Sequence, residues 1–188
     1  MKTILSGRAR WVAVACSLLL VCSAGATSVP RISFTEMTDQ SEVVASGHIT
    51  RTWSDWDPTH QYIWTHYEMT VASTYKGQGA ATVVISEPGG VVGPVGMAVA
   101  GAVTYGVGEH VLVFLQRMPN GYLRTTGWGQ GQYRIDERGA LHASEALKAE
   151  NLLGGAGPGL SSLDGHTLTD IAGRVSARVR TAQNGGVK

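Results

Sequence analysis

Two long stretches of alternating apolar and polar residues constrain the fold of this chain more than any other feature. Within residues 43–53, four apolar or small residues fall on one face (Val43, Ala45, Gly47, Ile49) and four polar residues fall on the other (Ser46, His48, Thr50, Thr52). Residues 61–75 repeat the pattern and bring together Ile63, Thr65, Tyr67, Met69 and Val71. A period of two residues is typical of strands with one buried face. The chain is therefore predicted to be mainly β.

Four further segments have strand character: residues 82–86, 109–116, 122–128 and 132–136, the last strand in this interpretation. The run Val111–Leu115 is wholly apolar, which predicts a central strand. Asn120-Gly121 predicts a type I′ hairpin turn, because both residues tolerate positive φ. Residues 89–108 are glycine-rich, but no Gly-Lys-Ser/Thr follows them, so we interpret them as a long connection between strands and not as a phosphate-binding loop.

Two capping patterns predict helices on either side of the strands. Ser33 and Glu36 have the spacing of a capping box and predict a short helix from about residue 34 to 41. Thr167 and Asp170 begin a second, amphipathic helix over residues 167–183, with a tail at 184–188. We expect this helix to dock on the strands; a free or partner-binding tail is the alternative. Residues 27–150 form the predicted β-barrel domain, and the Gly/Ser-rich residues 151–166 are interpreted as a linker.

Residues 1–26 have the three parts of a secretory signal peptide. Lys2, Arg8 and Arg10 precede an apolar run, and Ala24-Gly25-Ala26 is a small-residue cleavage site. Cleavage would remove Cys16 and Cys22, leaving a cysteine-free domain without thiol chemistry. It would leave 12 basic and 14 acidic residues, a formal charge of −2 that argues against nucleic acid as a partner. We expect a secreted or periplasmic protein that contacts a membrane only if the signal peptide is retained.

The residues support a resemblance to known families. The segments that carry it are Val43–Ile49, Ile63–Val71, Tyr75-Lys76-Gly77, Glu87-Pro88-Gly89-Gly90, Val107-Gly108-Glu109 with Val111–Leu115, and Gly129–Tyr133. From about Ser33 to Ile135 the chain resembles a family of secreted bacterial proteins that has no assigned chemistry. Its alternation of strands with the short Lys-Gly and Gly-Glu motifs is more distantly similar to the netrin/tissue-inhibitor-of-metalloproteases module. That likeness implies a small OB-like antiparallel β-barrel. The inhibitors of that type use an N-terminal cysteine, which the predicted mature chain lacks.

Aromatic residues provide the leading functional hypothesis. Trp53, Trp56, Tyr62 and Trp64 cluster along the first two strands, and Tyr62 and Trp64 fall on the face opposite Ile63. Exposed flat rings bury a large area at low entropic cost and are typical of binding surfaces. The alternative is that the rings pack structurally. We therefore expect a non-enzymatic binding module for a protein or a glycan, with no cofactor and no catalytic residue assigned.

Two other function classes remain open from the sequence. His66 and Glu68 share a strand face, and His48 from the neighbouring strand could complete a metal site. Three converging nitrogen or oxygen ligands are the usual set for catalytic zinc, so a metal-dependent hydrolase is the first alternative. Modulation of a secreted protease, through a surface unlike the cysteine-led one, is the second alternative.

Overall fold

The computed structural model describes residues 28–144, 151–153 and 163–185. The predicted signal peptide and both cysteines lie outside these ranges, as do residues 154–162 of the predicted linker and 186–188 of the tail. In chain order the described residues form β1 (Ser28–Pro30), α1 (Phe34–Gln40), β2 (Val43–Trp56), β3 (Ile63–Lys76), β4 (Thr82–Pro88), β5 (Gly90–Val92), β6 (Val95–Met97), β7 (His110–Arg117), β8 (Leu123–Thr125), β9 (Gln132–Ile135), β10 (Leu141–Ala143), β11 (Asn151–Leu153) and α2 (Leu168–Gly185). The prediction of a mainly β protein with two helices is confirmed.

Seven strands form one mixed sheet in the order β10-β9-β7-β2-β3-β4-β8. β8 pairs in parallel with β4 at a single position, Ile85 opposite Leu123, and antiparallel with β7 over three positions. Strand pairing therefore runs from β7 through β2, β3, β4 and β8 and returns to β7. The apolar run of β7 lies between β2 and both β8 and β9, which confirms that this strand is central.

The long strand β2 pairs with β7 over Val43–His48 and with β3 over Val44–Trp56. Its pairing with β3 has register shifts at three places, which are typical sites of bending in a sheet. Gly47 lies at one of them, and a Cβ at this position would stand 2.1 Å from the Thr70 carbonyl oxygen. Glycine is therefore required here for the close approach of the two backbones.

The buried side chains form two clusters that share β2 and β7. The inner cluster takes the inward residues of the paired strands, among them Val43, Ala45, Ile49, Tyr67, Met69, Val111, Val113 and Leu115. The first alternating face predicted for β2 is thus largely buried in this cluster. Val103 and Tyr105, from the segment after β6, also pack in it. That segment was predicted to be only a connection, and it instead supplies core.

The helix cluster lies on the other side of β2 and β7. It includes Met37 of α1, Leu112 and Phe114 of β7, and Ile171 and Val175 of α2. Both predicted caps are present: Ser33 with Glu36 at α1, and Thr167 with Asp170 at α2. α2 is therefore docked against the sheet. Because β7 is buried on both faces, its sequence is a continuous apolar run and not an alternating one.

Three features depart from the sequence-level interpretation. β10 and β11 follow the strand that was predicted to be the last. Within the segment predicted as a linker, residues 151–153 pair in parallel with β1, and Leu163 is fully buried in the helix cluster. The predicted connection 89–108 contains the β5–β6 hairpin. Among the described residues, neither helix combines the length and the apolar character needed to cross a bilayer.

Candidate ligand-binding groove

Two of the aromatic residues predicted to bind a ligand, Trp53 and Trp64, form a strip of rings with His66 and Tyr122. Trp53 of β2 lies opposite His66 of β3, with ring centres 5.2 Å apart. The Tyr122 ring contacts His66 at 5.4 Å and Trp64 at 5.1 Å, both edge to face. We call these four residues the aromatic strip. The Arg51 guanidinium lies 4.3 Å from the Trp53 ring centre and covers one end of the strip.

Tyr122 reaches the strip because of the turn between β7 and β8. The Gly121 amide donates to the Met118 carbonyl at 2.8 Å, and the Asn120 side chain accepts from the Tyr122 amide at 3.1 Å. Gly121 has φ +86°, whereas Asn120 is not among the described residues with positive φ. The hairpin prediction is confirmed, but the predicted type I′ geometry is wrong, since it needs positive φ at both residues. Tyr122 directly follows Asn-Gly, and that position was the available sequence signal.

A groove of about 710 Å³ runs along β4, within the range of ligand sites. We call it the β4 groove. The residues that define its walls are His66, Val84, Ser86, Arg117, Tyr122 and Leu123. It lies between β4 and the β7–β8 turn, where Ile85 and Leu123 make the single β4–β8 pair. Beyond that pair, residues 82–84 have no strand partner on this side in the described part of the chain.

His66 and Ser86 place polar atoms in this groove. Nδ1 of His66 lies 2.8 Å from Oγ of Ser86, and both residues are buried. Burial lowers the pKa of His66, and the charge of Asp55 opposes that shift only in part. The ring is therefore neutral at neutral pH. In nucleophilic enzymes a hydroxyl lies beside a neutral imidazole, and a third group orients that imidazole. Among the described residues, none hydrogen-bonds the His66 ring in the role of this third group. The two bonded side chains join β3 to β4 and form polar lining of the groove.

One ion pair fixes the wall of the groove formed by the β7–β8 turn. Arg117 donates through Nε to Glu42 Oε2 at 2.9 Å and through a terminal nitrogen to Oε1 at 2.7 Å. A further guanidinium nitrogen donates to the Gly121 carbonyl at 2.9 Å. The hydrogen bond from Arg117 holds the pKa of Glu42 below its ordinary value. The turn that carries Tyr122 is therefore tied to the start of β2.

Trp56 is the last residue of β2 and Tyr62 lies on the connection between β2 and β3, and neither belongs to the strip. Asp57 organises this loop, because its carboxylate accepts from the Thr59 hydroxyl and from the amides of Gln61 and Tyr62. Those bonds lower the pKa of Asp57. The Trp56 ring packs near His60, whereas Tyr62 is 56% exposed. Of the four predicted aromatic residues, Tyr62 is the most accessible.

The structure does not bring His48, His66 and Glu68 together as ligands of one metal ion. The His48 ring stacks on His110 of β7 with centres 4.3 Å apart. His66 is bonded to Ser86, and Glu68 lies opposite Arg51 in the β2–β3 pairing. The described residues contain no group of three or more histidine, cysteine, aspartate or glutamate side chains that could hold a metal.

A buried carboxylate lies where β4 meets β8. Glu87 is 1% exposed; it accepts from the Thr125 amide at 2.8 Å and from Nε of Arg124 at 3.2 Å. Burial raises the pKa of Glu87, and the charge of Arg124 opposes that shift. The Arg124 guanidinium also stacks 4.4 Å from the Trp128 ring centre. The sequence analysis named Glu87 only within a segment that carries the resemblance to known families, whereas in the structure its side chain joins two strands.

Comparison with known proteins assigns no family to the chain. No protein-family model matches the chain. A search of curated proteins found no significant match. The resemblances drawn from the sequence therefore stay predictions.

Proposed function

We propose that this protein is a secreted, non-enzymatic binding module on an OB-like barrel, and that it captures an extended polypeptide segment in the β4 groove. The ring of pairings from β7 through β2, β3, β4 and β8 supports the barrel, as does the parallel β4–β8 pair. In OB-folds the face of the second and third strands, with the first and last hairpin loops, binds ligands. If the protein has this fold, β3, β4, the loop with Tyr62 and the turn with Tyr122 correspond to those positions.

The observation that carries the proposal is the open edge of β4. Among the residues that the structure describes, 82–84 have no strand partner on the groove side, and Val84 is 38% exposed. An extended segment can add to such an edge through main-chain hydrogen bonds, while side-chain pockets give specificity. The groove wall opposite is held in place by the Glu42–Arg117 pair, so the site is preorganised.

The side chains of the groove favour a ligand with both apolar and hydrogen-bonding groups. Val84, Leu123 and the Tyr122 ring offer apolar contact, and Ser86 and His66 offer hydrogen bonds. The strip of rings is also compatible with sugars, which makes a glycan the alternative outcome of the test. The open strand edge is the reason to favour a polypeptide.

Secretion is the second part of the proposal and rests on the residues of the predicted signal peptide. Expression of the full chain in a bacterium, followed by fractionation and N-terminal sequencing, tests it directly. We expect processed protein outside the cytoplasm that begins near Thr27. Unprocessed protein in the cytoplasm would contradict this part alone.

Selection of phage-displayed peptides on the purified protein tests the groove. We expect selected peptides to lose affinity by about tenfold or more with Val84→Lys and with Tyr122→Ala. Val107→Lys is the matched control, because Val107 is also an exposed valine but lies outside the groove. Failure to select any peptide, or equal binding by all variants, would contradict the proposal. Binding on a glycan array that Tyr122→Ala abolishes would assign the groove to sugars instead.

A further inference from the structure

The hairpin of β5 and β6 lies beside the large sheet. Among the described residues its strands form a separate two-stranded sheet, and Gly93-Pro94 forms the turn between them. β5 contacts β2 and β3, and a Cβ on Gly90 would meet the side chains of Ser54 and Thr65.

Residues 88–108 contain no charged side chain. Val103 and Tyr105 among them belong to the core, whereas residues 90–97, which also lack polar side chains, lie at the surface. An apolar element on the surface of a protein marks an interaction site.

The hairpin is apolar on both of its faces. Val91 lies opposite Gly96, and Val92 lies opposite Val95, so the valines divide between the two faces. Val91 is 67% exposed and Val95 is 43% exposed. An element that docks on a flat protein surface needs only one apolar face. Apolar side chains on both faces and around the turn suit an element that is surrounded by an apolar medium.

The dimensions and the base of the hairpin fit the interface of a lipid bilayer. Each strand has three residues, so at about 3.3 Å per residue the hairpin extends about 10 Å. Interfacial segments bury themselves about 5–10 Å into the boundary between headgroups and acyl chains. At the base, the Gly89 amide donates to the Ile63 carbonyl at 2.8 Å, and the Thr65 hydroxyl donates to the Gly89 carbonyl at 2.7 Å. The base of the hairpin is therefore fixed to β3.

Aromatic residues lie at the same end of the molecule. Tyr62 directly precedes Ile63, whose carbonyl holds the base of the hairpin, and Trp56 is the cross-strand partner of Ile63. Tyrosine and tryptophan are enriched where a membrane meets water. The loop organised by Asp57 thus presents interfacial residues beside an uncharged apolar hairpin.

We propose that the β5–β6 hairpin inserts into the interface of a lipid bilayer, with Tyr62 and Trp56 at the level of the headgroups. Apolar burial drives this binding, because the hairpin segment carries no cation to attract anionic lipid. The membrane contact is therefore separate from the signal peptide and independent of ligand in the β4 groove.

Flotation of the exported, processed chain with vesicles tests the proposal. The vesicles are made of phosphatidylcholine alone or with added phosphatidylglycerol, at low and high salt. We expect the protein to float with both compositions and at both salt concentrations. The double variant Val91→Glu/Val95→Glu should bind at least about tenfold more weakly. Val107→Glu, at an exposed valine outside the hairpin, should bind like the unaltered protein.

A spectroscopic probe distinguishes insertion from loss of folding. Because Cys16 and Cys22 leave with the predicted signal peptide, Val91→Cys can be labelled singly with an environment-sensitive fluorophore. Insertion predicts a blue shift of the label on phosphatidylcholine vesicles and none for the same label at Val107→Cys. Absence of flotation, flotation that requires phosphatidylglycerol, or equal shifts at both positions would overturn the proposal. Photocrosslinking from Val91 to a protein, without vesicle binding, would overturn it in favour of a protein pocket.

Discussion

The inner cluster and the helix cluster share the two faces of β7 but are closed in different ways. The helix cluster is closed by the helices α1 and α2 and includes the fully buried Tyr133, whereas the inner cluster is enclosed by the strands that surround it. The inner cluster includes the tyrosines Tyr67 and Tyr105, and the Tyr105 hydroxyl bonds Thr125 at 2.6 Å. Beside it, Glu87 joins β4 to β8.

This difference predicts that stability and ligand binding depend on different sides of the sheet. The helix cluster is covered by α1 and α2, whose ion pair between Asp39 and Arg178 is partly exposed, and the buried hydroxyls of Ser41 and Thr126 bond each other beside α1. The inner side holds the buried carboxyl of Glu87 and, in the described part of the chain, ends at an incompletely paired strand edge where the β4 groove begins. Buried polar groups cost free energy unless they are bonded, so they are kept where they position something. We therefore expect substitutions on the helix side to change stability and substitutions at the groove to change binding.

Phe114→Ala is expected to have the largest effect on stability. Phe114 is fully buried in the helix cluster and packs edge to face on Phe34 at 6.2 Å. Removing a buried phenylalanine costs about 3–5 kcal/mol in the free energy of unfolding. Urea unfolding followed by circular dichroism measures this loss. A loss below about 1 kcal/mol would mean that the helices pack only loosely on β7.

Glu87→Ala is expected to have the next largest effect, on the inner side. The substitution leaves Arg124 without its carboxylate and the Thr125 amide without its acceptor. Removing one partner of a buried ion pair costs about 3–5 kcal/mol, and the 12% exposure of Arg124 places this case at the lower end. The same unfolding experiment checks it. If Glu87→Ala and the double variant Glu87→Ala/Arg124→Ala unfold like the unaltered protein, the pair does not join the strands.

The pH dependence of stability gives a smaller effect at the same residue. Because burial raises the pKa of Glu87, the folded carboxyl keeps its proton to higher pH than the unfolded one. Its contribution to the free energy of unfolding therefore falls as pH rises from about 4 through the folded pKa. Thermal midpoints of the unaltered protein and of Glu87→Gln, compared between pH 4 and 7, isolate this slope. A constant difference between the two midpoints would contradict the raised pKa.

His66 is expected to give the opposite dependence of stability on pH. Its pKa is lowered by burial, so the folded ring stays neutral at a pH where the unfolded ring is already protonated. Stability is therefore lost as pH falls from about 6.5 through the folded pKa. His66→Gln should reduce this loss, and His60→Gln, at a histidine exposed on the loop after β2, is the control. Identical midpoint curves for His66→Gln and the unaltered protein would contradict the prediction.

Val84→Lys is expected to have the smallest effect on stability. Val84 is partly exposed on β4, and surface substitutions usually change the free energy of unfolding by within about 0.5 kcal/mol. The same change places a charge in the groove and should weaken peptide binding by about tenfold or more. A large loss of stability would mean that Val84 belongs to the core and that the two sides are not separable as described.

Much of the architecture could be predicted because its signals are local. Ser33 with Glu36 and Thr167 with Asp170 act across three residues, so the sequence revealed both helix starts. The β2 and β3 alternation likewise revealed two strands and their inward residues. The insertion of Val103 and Tyr105 into the inner cluster was missed, because a glycine-rich segment has no period that identifies which residues turn inward.

The candidate site depended on contacts between residues far apart in the chain. Trp64 and His66 could be identified as outward residues of β3. The alternation put Trp53 on the inward face of β2, and Trp53 lies opposite His66 beyond the register shift between Ile49 and Arg51, while Tyr122 joins the strip because β8 returns to β4. The same β4–β8 pairing brings Glu87 to Arg124, and in the described part of the chain it leaves residues 82–84 without a strand partner on the groove side. The sequence by itself determined the two helices, the long strands β2 and β3 and the charge-free composition of residues 88–108, since these depend on neighbours along the chain. Only the tertiary structure decided which surfaces meet, because strand closure sets distances that no local pattern encodes.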